Sequence, residues 1–428
     1  MPKKEQQGDQ DRHWDVIVVG GGPSGMMAAG RAGERGARVL LLEKNREPGQ
    51  KLLLTGGGRC NIFQAEEDKE KLLSQYGEAK PFLHSPFSQH GMEDSWKFFE
   101  GLGLPIVVEA RKRAFPDSQK ASDVLKALKK YMSKNNVTVL TNSPVKGIKT
   151  NDGRVVKIET ANEVFTADSY IIATGGTSHP ETGSTGEGLK WLKSLGHTVH
   201  SPSPDLVPLV VKEEWVKRSS GATLSFMKIT FGTDRAKKEG KFSETGKILF
   251  THFGLSGPLI LNASRSVKKL LSQGPVPAEI DMYPDTDTGS LRKRLINIFE
   301  KNKNKALKNV LSELMPESLC EAVLSHYPLE LREKKIHSVS KEERNELADI
   351  MKAMPLTVTG IMGSDWAITS DGGVDLKEVD TRSMRSKLLP DLYLTGDVLH
   401  INRPSGGYSL QLCWTTGWVA GSSVLINN

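Results

Sequence analysis

An apolar strand that runs straight into a glycine turn and on into a helix of small residues leaves a chain few folds to choose from. Here the strand is Asp15-Val16-Ile17-Val18-Val19, the turn Gly20-Gly21-Gly22-Pro23-Ser24-Gly25, and the helix begins Met26-Met27-Ala28-Ala29-Gly30. The spacing is G-x-G-x-x-G. Gly20 permits the tight turn, Gly22 lets the backbone come close to an anion, and Gly25 lets helix and strand pack tightly. The helix N-terminus behind Pro23 and Ser24 then offers unpaired N–H groups and a partial positive charge to a nucleotide diphosphate.

Glycine-rich turns occur in many loops, so the residues beyond the turn decide the reading. The helix leads through Gly33 and Gly36 into a second apolar strand, Ala37-Arg38-Val39-Leu40-Leu41-Leu42, which ends in Glu43, 23 residues after Gly20. A carboxylate there is placed to accept both hydroxyls of an adenosine ribose. Glu43 also argues against a 2′-phosphate, because two anions repel, while the adjacent Lys44 acts in the opposite sense. Strand, turn, helix, strand and acid in register specify a dinucleotide-binding βαβ unit.

At 428 residues the chain exceeds the size of about 250–300 residues at which single cores stop growing, so two or more domains are expected. A hydrophobic content of 37% with 41 glycines describes a globular, loop-rich α/β chain rather than a disordered one. No apolar run reaches the roughly 18 residues of a membrane span, and residues 1–7 are polar, so a cytoplasmic protein with no membrane partner is expected. Cys60, Cys320 and Cys413 lie far apart with no C-x-x-C, which fits a reducing compartment and leaves no dithiol relay. The histidines show no metal-ligand spacing, so no metal is expected. The net charge of +7 raises nucleic acid as a partner. The lysines are scattered, however, apart from a run between Lys293 and Lys308 that reads as a solvated helix face, and nucleic acid is disfavoured.

Residues 45–63 read as a long loop containing Thr55-Gly56-Gly57-Gly58-Arg59-Cys60-Asn61. Three successive glycines hold neither helix nor strand. They allow Gly57 and Gly58 to press against a flat ligand, with Arg59 as a cation and Asn61 as a two-way hydrogen-bonding group. The alternative is a mobile surface loop. Cys60 has no partner cysteine nearby and reads as a buried structural thiol. Helices are expected at 92–101 and 121–134, then a strand at 137–140 and a three-stranded meander over 145–150, 155–160 and 163–167 that turns at Asp152-Gly153. The meander feeds the apolar strand Tyr170-Ile171-Ile172-Ala173, which ends at a second glycine corner, Thr174-Gly175-Gly176. Thr182-Gly183-Ser184-Thr185-Gly186-Glu187-Gly188 resembles a phosphate loop but lacks a preceding strand, so it reads as the start of a helix over 189–195.

The composition then changes. Residues 201–285 are β-rich and 286–356 helical, which reads as a β-rich domain and a small helical subdomain inserted into a nucleotide-binding domain made of 1–200 and 357–428. The returning segment holds Asp391-Leu392-Tyr393-Leu394-Thr395-Gly396-Asp397, an apolar strand with a third glycine corner and an acid. Ser405-Gly406-Gly407-Tyr408 then opens a last helix, in which Cys413, Gly417, Ala420, Gly421 and Val424 form a small-residue face.

Three glycine corners in this order resemble the FAD-binding fold of the glutathione-reductase type, an α/β, Rossmann-type domain. The chain is similar, more closely, to the YhiN/BaiN-like family of FAD-dependent bacterial flavoproteins related to aminoacetone oxidase. Gly56-Gly57-Gly58-Arg59-Cys60-Asn61 and Thr251-His252-Phe253-Gly254-Leu255-Ser256-Gly257-Pro258 are the specific matches. The resemblance implies FAD as cofactor, with Glu43 at the adenosine ribose, the backbone of Val145 at the adenine, and Asp397 at the pyrophosphate or ribityl end. It implies that Arg59, Cys60 and Asn61 line the FAD and that the turn at Gly406-Gly407-Tyr408 aims a helix N-terminus at the flavin pyrimidine. The chain departs from the family pattern at Ile62-Phe63-Gln64, at Gly396-Asp397 where Gly-Glu is commoner, and in the basic, proline-containing loop 400–404.

The expected function is an FAD-dependent oxidoreductase passing a hydride between NAD(P)H, or oxygen, and a small organic substrate through flavin N5. With one nucleotide fold, any NAD(P)H docks transiently. The alternatives are a flavin-dependent RNA-modifying protein and a redox sensor that binds FAD without turnover. His252 precedes a glycine-rich turn and has no assigned role. Catalytic side chains, substrate and oligomeric state are not legible.

Overall fold

Hydrophobic runs without polar alternation suit strands buried on both faces of a parallel sheet. The computed structural model describes residues 13–232 and 240–425, and in it Thr138–Leu140, Val39–Leu42, His13–Val19, Val164–Ile172 and Leu392–Leu394 lie side by side in that order, all parallel. The register sets Leu140, Leu42, Val19, Ile172 and Leu394 in one row. Backbone bonds extend that row by one residue: Glu43 N–H to Leu140 C=O, Gly20 to Leu42 and Ala173 to Val19, each at 2.9 Å, and Thr395 to Ile172 at 3.2 Å. The glycine corners beyond that row therefore open along one sheet edge, the carboxyl edge, where open α/β sheets bind ligands.

Val145–Asn151 and Arg154–Thr160 add an antiparallel meander to the start of Val164–Ile172. The sequence pattern separates 163–167 from 170–173, whereas the structure makes one nine-residue strand through Asp168 and Ser169. Both polar side chains find partners there, His13 Nε2 at 3.1 Å from Asp168 and the Leu425 N–H at 3.3 Å from Ser169 Oγ, so the strand continues unbroken. Helices occupy Met92–Gly101 and Ala121–Lys134, matching the spacing of their apolar residues. Segment 45–63 is not loop throughout, because Gln50–Leu54 forms a short helix that buries Leu52.

The helix Pro23–Glu34 and the C-terminal helix Tyr408–Ser423 touch backbone to backbone. A Cβ on Gly417 would collide with the Ser24 carbonyl, and one on Gly421 with the Ala28 carbonyl and, at 2.9 Å, with Arg31. This is the small-residue face read from the sequence. It anchors the last helix directly behind the first glycine turn.

Among the described residues, 13–204 together with 368–425 form one compact unit, and 205–232 with 240–367 form another. In the second, Leu209–Val211, Gly254–Ser256, Phe242–Thr251, Thr223–Phe231, Val276–Asp281 and Met354–Ile361 close into an antiparallel barrel. Met227, Phe231, Phe250 and Ile280 are among its fully buried residues. The stretch 201–285 is not β throughout: Pro258–Leu271 is a helix whose buried face is Leu259, Ile260, Ala263 and Val267. The helical stretch ends at Lys352, and Met354–Ile361 closes the barrel by pairing with Val276–Asp281 and Leu209–Val211, so a strand crosses the compositional boundary at 356. On the basic run, Lys305 and Lys308 pair with Glu313 and Glu333. Among the described residues no helix is long and apolar enough to cross a membrane. Residues 1–7, read as a polar leader, lie outside the described residues.

Replacing Gly421 by Val forces the last helix off the first. Urea unfolding is expected to show a loss of at least about 2 kcal/mol, since overpacked backbone contacts have no flexible side chain to yield.

Candidate functional site

The corners on the carboxyl edge enclose a cavity of about 1180 Å³, its open mouth included. Its wall is built from Gly20, Gly22, Pro23 and Ser24 of the first turn, Glu43 and Lys44 after the second strand, Val145 of the meander, Thr174 and Gly175 of the second corner, and Asp397 of the third. Gly20, at φ +105°, has no room for a side chain, since a Cβ would sit 2.6 Å from the Ala173 carbonyl oxygen. Pro23 fills the first turn of its helix, where an N–H would lack an intrahelical acceptor, and Gly22 as N-cap brings no side chain to cap it. The helix N-terminus at the cavity is thus uncapped, with its dipole available to an anion.

Glu43 is nearly buried and uses both carboxylate oxygens: Oε2 accepts from the Gly21 N–H and Oε1 from the Asn45 N–H, each at 2.8 Å. It clasps the glycine turn to the strand end while each oxygen keeps a second lone pair for a ribose hydroxyl. Lys44 reaches across to Thr185 Oγ1 and Glu187, both at 2.9 Å, and Asn45 Nδ2 donates to the Thr182 carbonyl at 3.0 Å. Loop 182–187 is thereby strapped over the strand end and lines the cavity, with the helix Glu187–Ser194 starting behind it. Its glycine pattern was visible in the sequence, but without a preceding strand it carried no site.

At the third corner Asp397 forms an ion pair with Arg403, whose guanidinium also donates to Ser409 Oγ at 3.0 Å and to the Ile401 carbonyl at 2.7 Å. Burial pushes the Asp397 carboxyl up, yet Arg403 and then Lys51 hold it below the ordinary carboxylate range. Cys413, in the same wall, is pushed up to about 12 by burial, with Asp397 adding to the effect, so it stays a neutral thiol.

Other sequence-derived candidates lie off the cavity lining. Gly25, Gly176 and Gly396 stand behind the corners, where Cβ atoms would strike the Gly20 carbonyl, Ser370 Oγ and Ser24 Oγ respectively. Gly57 and Gly58 are exposed, at φ +67° and +86°, with nothing within 4 Å of a Cβ. Arg59 is occupied elsewhere: it forms an ion pair with Glu109, donates to Gln119 Oε1 at 2.6 Å and sits 4.0 Å over the Phe115 ring. Cys60 is fully buried, its thiol pushed up to about 12 by burial. Asn61 Oδ1 is buried without a hydrogen-bond partner. Gly406 and Gly407 take φ +120° and +100° before the last helix, and a Cβ on Gly407 would collide with the Phe63 backbone. The Tyr408 carbonyl accepts from Tyr76 Oη at 2.9 Å. Sequence reasoning missed Lys51, Trp191, Thr369 and Ser409, which line the cavity from segments without a motif.

These features fit a dinucleotide. The wall offers an uncapped helix N-terminus, a glycine surface free of side chains and an acid at the second strand end, and Thr174 Oγ1 is buried without a protein partner. Gly22 gives the sharpest test. It has φ −76°, and a Cβ there would meet only the Ala173 carbonyl oxygen, at 4.0 Å, so alanine fits the empty turn but occupies the diphosphate's space. Gly22→Ala is expected to leave the melting temperature of FAD-free protein unchanged and to weaken FAD binding by at least about tenfold, about 1.4 kcal/mol. Fluorescence titration with FAD checks it, and unchanged affinity would contradict the placement.

Comparison with known proteins gives the family and the fold. The model of the HI0933-like protein Rossmann domain matches residues 14–423. Over 412 residues the chain is 29% identical to the 3-dehydro-bile acid delta(4,6)-reductase of Clostridium scindens, covering 95% of this chain and 98% of the relative. It is 27% identical over 424 residues to the ribosomal RNA dihydrouridine synthase of Escherichia coli, covering 96% and 98%. Among solved structures, the 3-ketosteroid-delta4-(5alpha)-dehydrogenase of Rhodococcus jostii RHA1 shares the fold at 14% identity, with a TM-score of 0.51 and 97% of each chain covered. Matched from its first strand to its last helix, the chain belongs to the HI0933-like family of Rossmann-fold, FAD-binding oxidoreductases.

Proposed function

We propose that this protein is an FAD-dependent reductase of carbon–carbon double bonds conjugated to a carbonyl, taking its electrons from NAD(P)H and acting on a small organic substrate. The observation that carries this reading is the chemistry shared by the names of two full-length relatives. One is a delta(4,6)-reductase of a 3-dehydro, that is 3-oxo, bile acid, and the other makes dihydrouridine from uridine. In both, a double bond beside a carbonyl takes up two hydrogens.

FAD, when bound, supplies hydride transfer at its isoalloxazine ring. The chain's own residues bind and orient it. The first glycine turn and the uncapped end of Pro23–Glu34 would hold the diphosphate, Glu43 the adenosine ribose, and Asp397 with Ser409 the ribityl side. Arg403 keeps Asp397 ionised in the dry wall, so that carboxylate accepts hydroxyl hydrogen bonds and does not donate. Cys413 remains a protonated thiol, and with every cysteine free it contributes a wall rather than a relay. One nucleotide fold serves one resident dinucleotide, so the nicotinamide would exchange between turnovers.

A second reading draws on the Escherichia coli relative and the net charge of +7: the conjugated double bond would then be that of a uracil in ribosomal RNA. Anaerobic reduction separates the two. Holoprotein is expected to lose its blue absorbance with NADH or NADPH and to regain it with a 3-oxo-4,6-diene steroid or a simple enone, but not with a saturated ketone. Failure of both nicotinamides to reduce it, or reoxidation by oxygen alone, would contradict the reading. Reoxidation by ribosomal RNA with enones inert would replace it with the second, and RNA binding should then weaken steeply with salt.

A further inference from the structure

One cation of the cavity wall has no carboxylate partner. Asp397 and Arg403 pair with each other, and Lys44 is paired with Glu187 at 2.9 Å. Glu43 is held by two backbone N–H groups. Lys51 is left over. It projects from the short helix Gln50–Leu54 into the wall, where its Nζ donates to Ser178 Oγ at 3.2 Å and would lie 3.9 Å from a Cβ on Gly175. Among the described residues no carboxylate lies within 4.0 Å of that ammonium. Loss of hydration lowers its pKa from the ordinary lysine value, with Asp397 as the main opposing influence. A half-buried cation with one hydroxyl partner and no counter-ion costs the fold that holds it.

Its position relates it to the first glycine turn. The helix that carries it is tied to that turn, the Gly49 N–H donating to the Gly21 carbonyl at 2.9 Å, and Lys51 lines the same cavity as Gly20, Gly22 and Ser24. The helix N-terminus at Ser24 supplies the equivalent of about half an elementary charge, whereas a diphosphate diester carries a full negative charge on each phosphate. The turn alone cannot neutralise it.

We propose that Lys51 is the counter-cation of the FAD diphosphate, oriented by Ser178 at the second glycine corner. The proposal rests on the FAD reading of the cavity. It has a consequence of opposite signs: without cofactor Lys51 is a burden on the fold, and with cofactor it is a principal source of affinity.

Binding of FAD, ADP and riboflavin to FAD-free protein, measured by fluorescence and calorimetry alongside thermal melting, tests it. Lys51→Met is expected to weaken FAD and ADP by the same factor, on the order of tenfold to a hundredfold as for a lost charge-assisted hydrogen bond, and to leave riboflavin binding unchanged. The melting temperature of the FAD-free variant should stay level or rise. Lys51→Arg should keep affinity within about threefold, because the charge remains, and Ser178→Ala should fall between the two. Unchanged FAD affinity in Lys51→Met would overturn the proposal, and so would a lower melting temperature of the FAD-free variant. Weaker FAD with ADP unaffected would also overturn it, by placing the lysine at the isoalloxazine end. Wild-type protein that binds neither FAD nor ADP would instead overturn the cofactor reading beneath it.

Discussion

The site depends on a strand register. Five parallel strands end within one residue of a common line, and each continues past it into a polar or glycine corner. Because side chains alternate and turns are short, a slip of one residue in any strand would turn its corner away from the others. The register is fixed by apolar residues buried on both faces, such as Val16, Leu41, Ile171 and Leu394, so the same burial that stabilises the sheet aligns the site. Glu43 reinforces it locally by tying the Gly21 N–H to the end of the neighbouring strand.

Close backbone packing is the second constraint. The turn at Gly20 presses on Ala173, and the last helix presses on the first through Gly417 and Gly421. Residues from the end of the chain, Asp397, Ser409 and Cys413, thereby reach a cavity founded by its beginning. Charge is distributed around that cavity in an uneven way. Lys44 is spent on strapping loop 182–187, Arg403 on holding Asp397 ionised, and Lys51 remains for a ligand. Affinity for an anionic cofactor and the stability of the empty protein are then in opposition at one side chain.

Much of this was legible in the sequence because it rests on local patterns. Apolar runs without alternation, three glycine corners and an acid at the second strand end specify a parallel nucleotide-binding sheet without reference to distant residues. What the sequence hid depends on short elements or on distant pairing. Gln50–Leu54 is too short to show a helical period, yet it delivers Lys51. Pro258–Leu271 begins at a Gly-Pro turn inside a β-rich stretch, which masked its apolar face. Arg59 reads as a ligand cation until its acceptors Glu109 and Gln119, 50 and 60 positions away, are seen to occupy it. Loop 182–187 has the composition of a phosphate loop but enters the cavity through hydrogen bonds from Lys44 and Asn45, a connection no spacing reveals.

The central claim is that segments remote along the chain enclose one FAD molecule. Hydrogen–deuterium exchange on the protein with and without FAD tests it directly. Binding should slow exchange together in peptides covering residues 20–25, 43–51, 173–178, 182–187 and 396–413. Protection confined to the first glycine turn, with the other four segments exchanging as before, would contradict it.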